Sequence, residues 1–249
     1  MRNIGIGLGA AALVACVAST ASASFVSFVV TSSNVTLDGQ NLVVYTLAAR
    51  FDGAHDTVFR AFDLSSDSAS SFVGFWHKDI HGDPATNGML SQAYGTWDPT
   101  KTGSSSANRP YDSYLTIGGI ARSGNTTAFD GNWFDDQHPE KNSWDRPDLP
   151  SNGGLGWFNK DSDSGQGTVG NSPNLPTTDV RLGQFVLSEG HTERTFSLSL
   201  KWGHEYSLSD DCQYSTSTFS LGNGIPAPGA VALLAVAGLW TPRRRRSLR

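Results

Sequence analysis

This chain predicts an all-β fold, an antiparallel β-sandwich or jelly-roll-like domain, on three observations. Short runs of β-branched and aromatic residues recur along the chain. Gly, Asp, Asn, Ser and Pro fill the stretches between them. No run shows the strand–helix–strand spacing of a parallel sheet, and helical periodicity is nearly absent.

The elements follow in chain order. Phe25-Val26-Ser27-Phe28-Val29-Val30 reads as the opening strand, and Asp38-Gly39 supplies a turn after it. Leu42-Val43-Val44-Tyr45-Thr46-Leu47 follows, and Thr57 to Phe62 alternates, with Val58 and Phe62 among its apolar positions. Tyr114-Leu115-Thr116-Ile117 is a shorter candidate. Arg181 to Leu187 and Thr195 to Leu200 flank Ser188-Glu189-Gly190-His191-Thr192, which reads as a hairpin. Phe196, Leu198 and Leu200 face one way and Ser197 and Ser199 the other, the period-2 pattern of a half-buried strand. Tyr214 to Leu221 repeats that pattern. Two long segments, Trp76 to Asp112 and Asp130 to Thr178, interrupt the series and read as loops.

Both ends read as addresses. Arg2, the apolar run Ile4 to Val17 and the small residues Ala21-Ser22-Ala23 make a signal peptide, with cleavage expected after Ala23 and Ser24 as the first mature residue. Leu13-Val14-Ala15-Cys16 also fits a lipobox, which would place a lipid on Cys16. At the other end stand Ile225-Pro226-Ala227-Pro228, the apolar run Gly229 to Trp240, then Arg243, Arg244, Arg245 and Arg246. Twelve helical residues span about 18 Å, short of the roughly 30 Å of a bilayer core. The prolines keep the backbone extended ahead of the run, and the arginines hold the end in the cytoplasm. The expected organisation is a signal peptide over 1–23, a β domain over 24–223 and a sorting tail over 224–249.

The tail resembles the PEP-CTERM sorting signal in its order of Pro motif, short Gly/Ala/Leu-rich helix and Arg cluster. Ala227 stands where that family usually has Glu, which makes this a Pro-Ala-Pro-Gly variant. The resemblance implies recognition of Pro226, Ala227, Pro228 and Gly229 by an exosortase-like membrane enzyme, with Arg243 to Arg246 as the stop. More loosely, Ala49-Arg50-Phe51-Asp52-Gly53, Asp112 to Gly118 and Gly156-Trp157-Phe158-Asn159 resemble phrases in the bodies of such proteins. That implies a surface protein of unassigned activity.

Composition narrows the rest. The body carries twelve of the eighteen basic residues and all 23 acids, a net charge of −11. Such a domain makes a poor nucleic-acid partner, since phosphate binding needs a basic surface. Only Cys212 remains after signal cleavage, so no internal disulfide is expected. Asp210 and Asp211 beside it disfavour a thiolate.

Chemical motifs are few. His77 and His81, with Asp79 and Asp83, have a chelating spacing, but Gly82 and Pro84 break the helix that zinc binding would use. His204-Glu205 lacks a second His. Asp161-Ser162-Asp163-Ser164-Gly165 begins like a calcium loop without the closing Glu, leaving structural Ca²⁺ as the one cofactor to consider. No catalytic residue and no catalytic metal is expected, and no nucleophile elbow or phosphate loop occurs. Trp97, Trp133, Trp144 and Trp157 stand in the two long segments, where aromatic faces beside Asp and Asn can hold sugar rings or fill small cores under the loops. The expectation is therefore a non-enzymatic surface or matrix protein. The alternatives are a carbohydrate-binding module using these tryptophans, with extracellular polysaccharide as partner, and an extracellular hydrolase. A carboxylate pair about 5 to 9 Å apart would mark the last of these.

Overall fold

The computed structural model describes residues 24–66, 74–78, 90–92, 95–100, 111–133, 149, 154–204 and 212–222. Within them the chain is all-β. Eleven strands run β1 (Phe25–Leu37), β2 (Gln40–Phe51), β3 (Asp56–Ser66), β4 (His77–Lys78), β5 (Leu90–Ser91), β6 (Tyr114–Leu115), β7 (Thr127–Phe129), β8 (Leu155–Asn159), β9 (Asp179–Ser188), β10 (Arg194–His204) and β11 (Gln213–Leu221). Two single 3-10 turns accompany them, and the described residues contain no α-helix.

Every pairing is antiparallel. One sheet has the order β1-β2-β9-β6, a second β11-β10-β3-β8-β7, and β4-β5 form a small ribbon. The two large sheets bury their inner faces in one shared core, a sandwich-like arrangement. Val43, Tyr45, Leu47, Val180 and Leu182 enter it from the first sheet, and Ala61, Trp157, Phe196, Leu198 and Leu200 from the second. Each fully buried Leu or Phe contributes about 1.5–3 kcal/mol relative to exposure, so this core supplies the main stabilisation.

Local sequence explains several elements. β1 and β2 turn on Asp38 (φ 51°) and Gly39 (φ 76°), both left-handed, which is the pair a tight hairpin requires. β10 alternates as expected, with Phe196, Leu198 and Leu200 buried inward. Its partner on the outer edge, β11, buries Phe219 and Leu221 and exposes Tyr214, Thr216 and Thr218.

One expected pairing is not made. β9 and β10 do not form a hairpin. β9 lies in the first sheet between β2 and β6, and β10 in the second between β11 and β3. The intervening turn crosses from sheet to sheet. Glu189 N–H donates to Asn41 O and His191 N–H to Ser188 O, while Gly190 takes φ +79°. Both strands carry an apolar face, and each buries it more completely in opposite layers than side by side. The long segments also contain strands, since β4 and β5 fall in the first, and β8 in the second.

Part of the outer face of the first sheet is covered. Trp76 and Leu90 pack on Leu42, Val44 and Val186 in a second apolar cluster. Trp76 N–H donates to Val186 O, and its indole donates to Ser188 Oγ.

Two buried phenols tie stability to pH. Burial pushes the Tyr114 hydroxyl up, against weaker opposing contacts from Arg181 and the Ala121 backbone. Burial raises Tyr45 too, against a backbone hydrogen bond from Gly222. A raised folded pKa means that the unfolded chain ionises first, at about 10. The contribution is whole below that pH and is lost as pH climbs through the folded values. The melting temperature should fall steepening above about pH 10, and Tyr114→Phe should flatten that fall in a thermal melt series.

Candidate functional site

The predicted addresses lie outside the described residues. These are Ala21 and Ala23 before Ser24, and Pro226, Ala227, Pro228, Gly229 and Arg243, Arg244, Arg245 and Arg246 in the tail. Trp144, Asp79, His81, Asp83 and Glu205 also fall outside them. Among the described residues no helix is long and apolar enough to cross a membrane.

The remaining loop tryptophans are core. Trp97, Trp133 and Trp157 are each 0% exposed, so none offers a ring face to a sugar. Trp157 donates its indole N–H to Thr116 O at 3.0 Å, and Trp133 donates to Gly156 O at 2.8 Å. Trp97 packs edge-on against Phe75 and His77, with ring centroids 4.9 Å apart in both pairs. Trp97 and Trp133 join the shared apolar core from the described parts of these segments, and Trp157 joins it from β8 within the second sheet. These three rings therefore do not supply the sugar platform that the sequence suggested, and Trp144 lies outside the described residues.

His77 proves to be buried as well. Its Nδ1 lies 3.3 Å from Asp112 Oδ1, both side chains at 0% exposure. That carboxylate oxygen also accepts the Lys78 N–H. Ser113 is adjacent in sequence, which gives a Ser, a His and an Asp in one buried region. They do not form a relay: Ser113 Oγ donates to Trp76 O and accepts from Val186 N–H. Gly95 holds its backbone against the His77 ring, where an added Cβ would come within 2.1 Å of the His77 Cβ. A hydroxyl with both roles occupied, sealed from solvent, cannot attack a substrate.

A separate polar network joins the loops that follow β6 and β8. Asn125 donates to Thr116 Oγ1, Gln166 to Asn125 Oδ1, and Asn159 to Gln166 O. It ties the loop after β6 to the one after β8 with its buried amides satisfied. The Asp161 to Gly165 segment is a 3-10 turn in which Asp161 and Asp163 point to solvent and Ser164 caps back on Asp161 O. Among the described residues no three His, Cys, Asp or Glu side chains cluster. A polar hollow of about 230 Å³ near Asn34, Asn41 and Glu189 is smaller than the usual ligand pocket of about 300–1,000 Å³.

The surface with the most recognition chemistry is the outer face of the second sheet. Register places Tyr214, Lys201, Arg60 and Phe158 in one row across β11, β10, β3 and β8. The next row holds Thr216, Ser199 and Phe62. Tyr214 is 65% exposed, the larger of the two exposed apolar side chains among the described residues, and it meets the edge of Phe62 at 6.4 Å. The Arg60 guanidinium carbon stands 5.5 Å from the centroid of the Phe62 ring, and its Nη2 is 3.0 Å from Asp130 Oδ2. Beyond this row, hydroxyls pair across the strands, Ser199 with Thr216 at 2.7 Å and Thr195 with Ser220 at 3.1 Å. Sequence reasoning passed over these residues individually. Alternation in β10 could have shown that Thr195, Ser197, Ser199 and Lys201 share a face, but long-range register alone adds Arg60, Phe62, Phe158 and Tyr214.

No family model, curated protein or solved structure matches this chain.

Proposed function

We propose that this chain is an exported, non-enzymatic surface or matrix protein, delivered to the membrane and processed there by an exosortase-like enzyme. The observation that carries the reading is the order of elements from Pro226 to Arg246: Pro motif, short apolar run, basic stop. A twelve-residue run gives only modest insertion energy, which suits a transient hold better than a permanent span. A β-sandwich-like domain with one apolar core shared by its two large sheets is the part displayed.

The front of the domain supports export. Ser24, the expected first mature residue, donates its backbone N–H to Asp52 Oδ1 at 2.5 Å and accepts the Asp52 N–H at 3.1 Å. Signal cleavage after Ala23 would turn that amide into an ammonium facing the same carboxylate. The docking contact survives processing and gains charge assistance.

Intact mass spectrometry of the mature protein from its host reads both ends at once. The expected form begins at Ser24 and lacks Arg243 to Arg249. Retention of those arginines means an ordinary anchor and ends the sorting proposal. A lipid on Cys16 replaces signal cleavage at Ser24 with lipoprotein processing. Truncation after Asn223 should release the protein to the medium with its melting temperature unchanged.

A further inference from the structure

The placement of charge on the open sheet face is the feature least explained by folding. Lys201 and Arg60 are direct cross-strand partners. Like charges directly opposite each other on neighbouring strands are destabilising. The body has twelve basic residues against 23 acids, so partners for cations are plentiful. Arg60 takes one of them, Asp130. Among the described residues no carboxylate pairs with Lys201. A Ser or Thr at 201 would continue the hydroxyl series of β10 without the repulsion. Arg60 is compensated and Lys201, among the described residues, is not; for such an uncompensated charge function is the first explanation to test.

The neighbours of the two cations indicate what would sit on them. Tyr214 and Phe158 flank them in the same row, and Phe62 lies one row on. Aromatic rings offer apolar faces to the C–H faces of sugars, and the exposed hydroxyls of Thr216 and Thr218 can donate and accept. Lys and Arg complement a carboxylate. The face is open and crosses four strands, so it suits an extended chain better than a small molecule. On the other sheet Trp76 and Leu90 cover the outer face at Leu42, Val44 and Val186.

We propose that the outer face of β11, β10, β3 and β8 binds an acidic polysaccharide, with uronate carboxylates on Lys201 and Arg60 and sugar rings against Tyr214, Phe62 and Phe158. This deepens the reading of the chain as a non-enzymatic surface or matrix protein, since it names what such a protein would hold. The net charge of −11 keeps polyanions away from the rest of the body and confines binding to this face.

The test is calorimetric titration of the full chain, purified in detergent, with polygalacturonate oligosaccharides and with neutral cello-oligosaccharides of equal length. Lys201→Ser and Tyr214→Ser are the diagnostic variants, both on solvent-facing positions. Lys201→Arg is the rescue, and Lys160→Ser removes an exposed cation outside the row. The acidic oligosaccharide should bind, weakening with salt, and Lys201→Ser should lower affinity about tenfold, the loss of one charge-assisted hydrogen bond. Tyr214→Ser should lower it several-fold, while Lys201→Arg and Lys160→Ser leave it near the parent value. Equal binding of the neutral oligosaccharide, or no binding of either, overturns the proposal. So does equally tight binding of duplex DNA or anionic vesicles, which would mark a generic polyanion surface. These readouts are independent of how the termini are processed, so the glycan proposal and the sorting proposal can fail separately.

Discussion

Trp157→Ala should lower the melting temperature by roughly 6–20 °C, the equivalent of about 3–5 kcal/mol for truncating a buried Trp in a domain of this size. The ring is fully buried in the shared core, on the strand that joins β3 to β7. Its loss opens a cavity between two sheets that are each hydrogen-bonded internally and cannot collapse freely around it. It also orphans the Thr116 carbonyl that now accepts the indole N–H. Trp157→Phe separates the two effects. It keeps most of the packing and should cost about 1–3 kcal/mol, the penalty of an unsatisfied buried acceptor. Denaturant melts of the two variants give both numbers. A Trp157→Ala loss under about 1 kcal/mol would mean the core is looser than its burial indicates.

Gly118→Ala is the second large effect. Gly118 has φ +76°, and an added Cβ would lie 2.2 Å from Gly167 N and 2.6 Å from Gly167 Cα. Those are backbone atoms, so no side chain can swing aside. The crossing of these two glycines joins the layers. Gly118 N–H donates to Arg181 O in the first sheet, and Gly167 O accepts Val58 N–H from the second. A methyl group there pries the sheets apart at that end. The left-handed backbone alone costs about 1–2 kcal/mol in a non-glycine residue, and overpacking adds about 1–3 kcal/mol. Gly124→Ala is the matched control, because a Cβ at that position meets nothing within 4 Å. It should be neutral or stabilise by up to about 1 kcal/mol. Similar melts for the two variants would remove the steric account.

What could be read from the sequence was local. The Asp38-Gly39 turn, the two strands it joins and the alternation of β10 each depend on residues within a few positions of one another, and all appear as expected. The pairing of strands was not local. β9 and β10 look like hairpin arms because each is apolar on one side and a Gly-containing turn separates them. Nothing in either strand encodes that their better partners, β2 and β3, lie more than a hundred residues upstream. The tryptophans show the same limit in chemistry. A Trp among Gly, Asp and Asn has the composition of a binding loop, and only its place relative to the two sheets decides whether its ring faces water. The open face was illegible for the complementary reason. Tyr214, Lys201, Arg60 and Phe158 are unremarkable one at a time and become a row only through three separate registers.

The bidentate pairing of Arg50 with Asp179, 129 positions apart, has a kinetic side. Both large sheets are stitched by contacts of that range, and Phe28 near the start of the domain packs on Phe219 near its end, 5.9 Å between ring centroids. Closing such large loops precedes any reward from the contacts they bring together, which makes folding slow. β1 and β2 can pair as soon as both are made, but β2 and β3 wait for β9 and β10 to complete their sheets. Until then each large sheet has an unpaired inner edge, so the two layers close together and late rather than strand by strand.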